Sequence, residues 1–201
     1  MLDLLDYRRR VTEMYRLIRV SDDPHAAWKM FRQTRDDLFY HHPQSPLDEK
    51  QKAAFSGLRY YDYDPAYRMI AAVDTAVEPE TLEYELGEDG IVRCTRFGKV
   101  SVTLPTGAGT LSLFWINGYG GGVFLPFGDT ANRQTTYGAG RYLYDTIKGA
   151  DLGASLTEIV LDFNFAYSPS CAYNPRWVCP LAPPENRLPF PIPAGEMKFP
   201  V

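Results

Sequence analysis

The chain has 201 residues, a length that fits one folded domain, and we expect residues 1–201 to form a single domain. Its 45% hydrophobic and 23% charged residues exclude an intrinsically disordered chain. The formal net charge of -4 argues against a nucleic-acid partner, because nucleic-acid binding needs a basic face that neutralises phosphates.

Residues 1–57 carry helical patterns. Apolar residues recur every three or four positions between about Leu2 and Arg19, which predicts an amphipathic helix. The pair Asp23-Pro24 predicts the start of a second helix, since aspartate caps free amides and proline suits the first helical position. The same signal recurs at residues 45–48 and predicts a short third helix that ends near Gly57.

Residues 58–168 have the pattern of strands. Alternating apolar residues from Tyr67 to Val73 indicate a strand with one buried face. Further strands are predicted at Ile91–Phe97, Val100–Leu104, Thr110–Ile116, Val123–Phe127 and Leu156–Phe163. Gly-rich turns separate them, as in antiparallel sheets. The sequence therefore predicts an α+β fold in which N-terminal helices (about 2–57) pack on a mainly antiparallel β-sandwich or small barrel.

Residues 169–201 are rich in proline. Nine of the sixteen prolines lie here, so no regular helix can form. Large apolar side chains are interleaved with them, and each would lose roughly 2 kcal/mol of burial if the segment were free in solution. We therefore expect an ordered Pro-rich C-terminal strap across the sheet.

The longest signature begins at Asp162-Phe163-Asn164, continues through Cys171-Ala172-Tyr173 and ends in Pro183-Pro184-Glu185-Asn186-Arg187-Leu188-Pro189. With residues 42–47, 124–127 and 137–143, it resembles the uncharacterised prokaryotic family catalogued as domain of unknown function 1684. The similarity extends over nearly the whole chain, although Ser168 stands where the family pattern has Asn. The resemblance implies membership but no activity, so no functional residue is transferred from it.

Polar residues concentrate around this signature. Gly138 and Gly140 precede Arg141, an arrangement that aims a guanidinium at a carboxylate or phosphate. Asp162 and Asn164 alternate with phenylalanines and are expected on one face of a strand. The candidate ligand-binding residues are Arg141, Tyr142, Asp162, Asn164, Tyr167, Tyr173, Glu185, Asn186 and His42.

A buried structural network is the alternative for the same residues. Arg141 would then pair with Asp162 or Glu185, while Asn164 and Asn186 bind the backbone of the strap. The sequence leaves both explanations open.

Cys171 and Cys179 are eight residues apart, unlike the short gaps of zinc sites, and the chain has only three histidines. Three alternatives remain: two buried free thiols, a reversible disulfide, or a zinc site completed by His41 or His42. Cys94 lies in a strand pattern and is expected in the core. We expect no cofactor.

Three classes of function remain. The sequence favours a domain that binds a small molecule, expected to be an anionic metabolite. The second class is a hydrolase-like enzyme at the same cleft, with Asp162 or His42 as acid or base and Tyr167 or Arg141 stabilising charge. The alternative for His42 is a structural role at the C-terminus of a helix, where its charge favours the helix dipole. The third is a protein-partner module.

The first residues lack a basic leader and no segment has a long apolar run, so we expect a cytoplasmic location and no membrane partner. The oligomeric state is not indicated.

Overall fold

The computed structural model describes residues 1–200, except for the side chain of Asp89. Helices come first in the chain. They are α1 (Leu2–Arg19), α2 (Pro24–His41) and α3 (Glu49–Ala53).

The cap residues explain where two of the helices begin. The Asp23 carboxylate accepts a hydrogen bond from the amide of Ala26, and Asp48 forms a capping box at the start of α3. The third helix ends four residues before the predicted Gly57. The carboxylate of Asp36 on α2 accepts a hydrogen bond from the Leu58 amide at 2.8 Å, and the chain at this point no longer follows the axis of α3.

Strands make up the rest of the regular structure. They are β1 (Arg68–Asp74), β2 (Thr81–Glu85), β3 (Ile91–Leu104), β4 (Gly107–Ile116), β5 (Gly122–Phe127), β6 (Arg141–Asp145) and β7 (Glu158–Asp162). All pairings are antiparallel, in the order β6-β5-β4-β3-β1-β7, with β2 also paired to β3. The sheet curls into a half-barrel, which confirms the α+β class. Beyond β7, Tyr167 exchanges two backbone hydrogen bonds with Tyr142 of β6, with N···O distances of 2.8 and 3.0 Å.

Several predicted strands need correction. The segments 91–97 and 100–104 are one continuous strand with a register shift after Arg96, and β2 and β6 were not predicted. The predicted strand 156–163 is shorter and ends at Asp162. The expectation that Asp162 and Asn164 share a strand face is therefore wrong. The Asp162 carboxylate instead accepts the Asn164 amide at 3.1 Å and caps a 3-10 turn over residues 163–165.

One hydrophobic core joins the helices, the sheet and the C-terminal segment. It contains Phe31 of α2, Leu111 of β4 and Leu143 of β6, together with Phe190 and Ile192 from the Pro-rich segment. Cys94 is fully buried in a smaller cluster, as expected. Among the helices of residues 1–200, none combines the length and hydropathy of a membrane span.

Candidate functional site

Arg141, the central residue of the predicted ligand site, is fully buried at the start of β6. Its Nη2 donates to the Asp129 carboxylate at 2.9 Å and to the Ile192 carbonyl at 3.0 Å. Its Nη1 donates to the carbonyls of Ala194 and Glu196. Arg141 therefore anchors residues 192–196 and presents no exposed face to a ligand, and its acidic partner is neither of the two expected acids.

The predicted asparagines are also buried and bound internally. The Asn164 side chain donates to the Asp64 carbonyl at 2.8 Å and accepts from the Asp64 amide at 3.0 Å. Asn186 holds the amide and carbonyl of Ser112 at 2.8 and 3.0 Å. These contacts form a buried network, as in the structural alternative, but the expected partners are wrong: the backbone groups that the two side chains bind belong to Asp64 and Ser112 and not to the strap. Glu185 lies at the surface, 3.0 Å from Arg96.

Asp162 lies beside a small hollow of about 70 Å³ that also contains Arg68, whose Nε is 3.7 Å from Oδ2 of the carboxylate. Burial raises the pKa of Asp162 to about 6, although hydrogen bonds from Asn164 act in the opposite direction. The carboxylate is thus easier to protonate than an exposed one.

His42 ends α2 as its C-cap and is buried. Its Nδ1 accepts the Gln44 amide at 3.0 Å, so Nε2 carries the proton that points to Asp6, 3.2 Å away. His41 contacts Asp37 at 2.8 Å. Neither histidine is held toward a cysteine, and within residues 1–200 no three His, Cys, Asp or Glu side chains gather as metal ligands.

A cavity of about 100 Å³ lies between α1, α2 and the end of β6, and we call it the helix–sheet cavity. One face of α1 borders it, because residues spaced by three or four positions project to the same side of a helix. The lining consists of Tyr7, Val11, Met14, Tyr15, Arg35, Leu38, Phe39, Pro46, Tyr142, Asp145, Lys148, Ala150, Tyr167, Ser168, Pro169, Ser170, Tyr173 and Cys179.

Three residues of this lining carry buried polar atoms that no protein group of residues 1–200 hydrogen-bonds. They are the Tyr15 hydroxyl, Oδ1 of Asp145 and the Ser168 hydroxyl. Asp145 stands at the start of a 3-10 turn over residues 146–148, yet its carboxylate caps no amide there. Buried polar groups are nearly always paired, so three unpaired groups on one cavity are unusual.

The charges around the cavity are balanced in pairs. Arg35 binds Glu196 at 2.8 Å, and the Tyr173 hydroxyl donates to the same carboxylate. Lys148 lies 3.2 Å from Oδ2 of Asp145, and this carboxylate raises the pKa of the lysine. The cavity therefore has no excess of either charge.

The phenols of the lining stay protonated at neutral pH. Burial raises the pKa of Tyr15, Tyr142, Tyr167 and Tyr173 above the ordinary range of tyrosine. Their hydroxyls can therefore donate hydrogen bonds. Those of Tyr142 and Tyr173 already do so, to the Pro180 carbonyl and to Glu196.

Comparison with known families and structures places the fold among relatives. A family model described as Protein of unknown function (DUF1684) matches residues 53–197. The chain belongs to the DUF1684 family. It is also similar to the uncharacterized protein from gene locus rrnAC0354 of Haloarcula marismortui, solved by solution NMR, with 34% identity, a TM-score of 0.62, and coverage of 86% of this chain and 92% of that one. No curated protein matches the sequence.

Three of the nine predicted ligand-binding residues line the helix–sheet cavity of this DUF1684 chain. Tyr142, Tyr167 and Tyr173 line it, whereas the other predicted ligand residues, Arg141, Asp162, Asn164, Glu185, Asn186 and His42, do not. Sequence reasoning missed Tyr7, Tyr15, Arg35, Asp145, Lys148 and Ser168. One signal existed, since Ser168 departs from the family pattern. Asp145 and Lys148 lie in a strand and turn that were not predicted, and nothing in the sequence marked them.

Proposed function

We propose that the protein binds a small polar molecule in the helix–sheet cavity. The observation that carries the proposal is that Tyr15, Asp145 and Ser168 line one cavity with buried polar atoms that have no hydrogen-bond partner within residues 1–200. Such groups must take their hydrogen bonds from whatever fills the cavity.

The energy at stake supports this interpretation. A buried polar group without a partner costs about 1–3 kcal/mol, so three such groups cost about 3–9 kcal/mol. A whole domain is stable by only about 5–15 kcal/mol. Water that enters the cavity recovers part of this free energy, and a ligand that satisfies all three groups recovers the remainder and releases that water.

The chemistry of the lining favours a neutral or zwitterionic ligand. When Asp145 is ionised, its Oδ1 accepts hydrogen bonds and cannot donate them, whereas the hydroxyls of Tyr15 and Ser168 can also donate. Arg35 is already neutralised by Glu196, and Lys148 by Asp145. The expectation of an anionic metabolite depended on Arg141, whose Nη1 and Nη2 donate to groups of the protein and which is fully buried outside the cavity.

The size of the cavity limits the buried part of the ligand. A cavity of about 150 Å³ holds the six carbons of benzene, so 100 Å³ encloses about four non-hydrogen atoms. A larger ligand would extend past Lys148, whose side chain is 62% exposed.

We propose further that residues 169–200 act as a strap that keeps the half-barrel and the cavity wall in place. Support comes from the two buried arginines, Arg35 and Arg141, which bind the side chain of Glu196 and the carbonyls of residues 192–196. Pro169, Ser170, Tyr173 and Cys179 of the same segment line the cavity.

Three probes of four non-hydrogen atoms test the ligand chemistry: acetamide, acetate and guanidinium. Acetamide both donates and accepts hydrogen bonds, acetate only accepts and guanidinium only donates. In two-dimensional NMR titrations we expect acetamide to shift the resonances of cavity residues at lower concentration than either ion. The double variant Tyr15→Phe, Ser168→Ala should lose this response, whereas Tyr119→Phe, at a fully exposed tyrosine, should keep it.

Two outcomes would overturn the proposal. The first is an equal response of the double variant and the native protein to acetamide. The second is a set of shifts that lies outside the cavity lining in the native protein.

A second candidate function is an enzyme that uses Asp162 as acid or base. The observation in its favour is the raised pKa of Asp162, about 6, in a hollow next to Arg68. Against it, the carboxylate already caps the turn at Asn164. Catalytic turnover that Asp162→Asn abolishes without loss of the fold would favour the enzyme.

A further inference from the structure

An open groove of about 730 Å³ lies where the loop between β5 and β6 meets the Pro-rich segment, and we call it the arginine groove. One wall comes from the loop, between Asp129 and Ala139, and the other from Leu181, Arg187 and Leu188 of the segment. The groove shares no lining residue with the helix–sheet cavity. Its volume lies within the range of small-molecule sites, about 300–1,000 Å³.

The groove carries two positive charges that the described part of the chain does not neutralise. Arg133 and Arg187 line it with exposed side chains, and neither forms an ion pair with a carboxylate whose position the structure describes. The acid of the lining is Asp129, but its carboxylate is fully buried and pairs with Arg141 at 2.9 Å. The groove therefore attracts anions.

The fold holds Arg187 in place at the groove. The Gly128 amide donates to the Asn186 carbonyl at 2.9 Å, and the Leu188 amide donates to the Gly128 carbonyl at 2.8 Å. The backbone on both sides of Arg187 is thus tied to the residue that follows β5. Gly128 also leaves room for the arginine, because an added Cβ would lie 3.3 Å from its Cγ and Nη1. Nη2 donates to the Ala182 carbonyl at 3.3 Å, which limits the directions that the guanidinium can take.

Arg133 has a left-handed backbone. Its φ is 71°, the one positive φ of a non-glycine residue among those that the structure describes. Residues held in this region are costly and cluster at functional sites. The Arg133 amide donates to the Thr136 carbonyl at 3.0 Å, and the side chain lies over Gly138, where an added Cβ would be 2.9 Å from Cγ. We expected Gly138 to aim the guanidinium of Arg141, and it accommodates that of Arg133 instead.

Apolar groups lie beside the two cations. Leu181 is 40% exposed, and the buried Leu188 lines the groove with it. The ring of Tyr137 adds to the same lining. Its hydroxyl donates to the Cys171 carbonyl at 3.4 Å and lies 3.6 Å from the Cys171 sulfur, a free thiol like that of Cys179. The groove therefore suits an acid with a carbon skeleton better than a hydrated inorganic ion.

We propose that the arginine groove binds a small organic anion, a carboxylate or a phosphate ester, through Arg133 and Arg187. A guanidinium presents a planar fork of N–H donors that matches two oxygens of either acid. Gly138 is a positioning residue, because it provides the space in which the Arg133 side chain lies. The inference goes beyond the proposed function, since it concerns a separate site.

Matched probes test the requirement for charge. Succinate and glycerol 3-phosphate carry the two kinds of acid, and succinamide and glycerol are their neutral counterparts. The titrations are followed by two-dimensional NMR at constant ionic strength, because salt screens exposed charges. We expect at least one of the anions, and neither neutral compound, to shift the amide resonances of Gly138 and Leu188. The anion that binds more tightly identifies the acid.

Variants test the residues. Arg133→Gly and Arg187→Met should each weaken binding of that anion by about tenfold. Arg133→Gly also relieves the positive φ, so its Tm should not fall and lost binding is not a sign of unfolding. Gly138→Ala keeps both charges but displaces the Arg133 side chain, and should weaken binding severalfold. The control Arg9→Gln removes one charge from an exposed position on α1 and should bind like the native protein.

The proposal fails if neither anion shifts the groove resonances, or if the neutral compounds shift them equally. It also fails if Arg9→Gln weakens binding as much as the groove variants do. Native affinity in Gly138→Ala would show attraction by diffuse positive charge and not by a positioned arginine, and would contradict the proposal as well. Acetamide reports on the helix–sheet cavity and these probes report on the groove, so failure of one proposal is distinguishable from failure of the other.

Discussion

The unpaired hydroxyl of Tyr15 can be tested against a matched tyrosine in the same protein. Tyr15 and Tyr144 are both almost fully buried, at 2% and 1% exposure. The Tyr144 hydroxyl donates to the carbonyls of Gly153 and Val160, at 2.9 and 2.6 Å, whereas that of Tyr15 has no protein partner among residues 1–200. Replacement by phenylalanine keeps each ring and removes only the hydroxyl.

The two replacements should change the free energy of unfolding in different ways. Tyr144→Phe removes a hydroxyl that is paired in the native protein, which costs about 0.5–1.5 kcal/mol. Tyr15→Phe removes a group that the protein does not pair, so the change should lie between zero and a gain of about 1–3 kcal/mol. We expect the two variants to differ by about 2 kcal/mol.

Chemical denaturation with urea, read by tryptophan fluorescence, measures this difference directly. For a chain of this size, 2 kcal/mol corresponds to about 4–8 °C in Tm, so thermal unfolding provides a second readout. Equal destabilisation by Tyr15→Phe and Tyr144→Phe would refute the reasoning. It would mean that the Tyr15 hydroxyl is satisfied in the unliganded protein and is not held ready for a ligand.

Three further predictions concern the buried groups outside the cavity. Arg141→Met leaves the Asp129 carboxylate buried without its counter-charge and should lower the free energy of unfolding by about 3–5 kcal/mol or more. The control Arg187→Met, at the surface, should change it by less than about 1 kcal/mol. Urea denaturation measures both variants. In the folded protein the pKa of Asp162 is raised to about 6, so the protonated carboxyl group stabilises the fold at pH values below its pKa in the unfolded chain. This stabilisation is lost as the pH rises through about 6. Relative to Asp162→Asn, the native protein should therefore lose up to about 3 kcal/mol between about pH 4 and pH 7 in a series of denaturation curves. Gly195→Ala should destabilise by about 1–3 kcal/mol or prevent folding, because Gly195 has φ +77° and an added Cβ would lie 2.6 Å from a backbone carbonyl.

Each of these has a result that contradicts it. A Tm for Arg141→Met within a few degrees of the native value would show that this arginine does not anchor the C-terminal segment. Parallel pH curves for the native protein and Asp162→Asn would exclude a perturbed carboxylate. A Gly195→Ala protein as stable as the native one would mean that the backbone at this position relaxes without cost.

The sequence predicts the helices well because their signals are local. The cap at Asp23 and the spacing of apolar residues from Leu2 to Arg19 depend on neighbours within one or two turns. The strands were harder to predict. The five residues of β6 are all buried and have no alternation, and β2 is an exposed edge strand that pairs only with part of β3.

The candidate site could not be derived from the sequence, because it is made by distant segments. Arg35 meets Glu196 across 161 positions, and no local pattern reports such a pairing. Arg141 was selected correctly as an unusual residue, but a guanidinium that follows glycines looks the same in sequence whether it faces a ligand or a backbone carbonyl. Only burial and hydrogen-bond partners distinguish the two.

The long-range contacts of Arg35 and Arg141 also bear on the order in which the protein assembles. Both guanidinium groups are held by residues 192–196, so neither can reach its native partners on a ribosome before that stretch has emerged. Until then, two cations that end in the interior must remain hydrated, and the helices cannot lock onto the sheet in their final arrangement. Synthesis thus sets a lower limit on the time of maturation, and during that interval the half-built sheet exposes strand edges at which aggregation can begin.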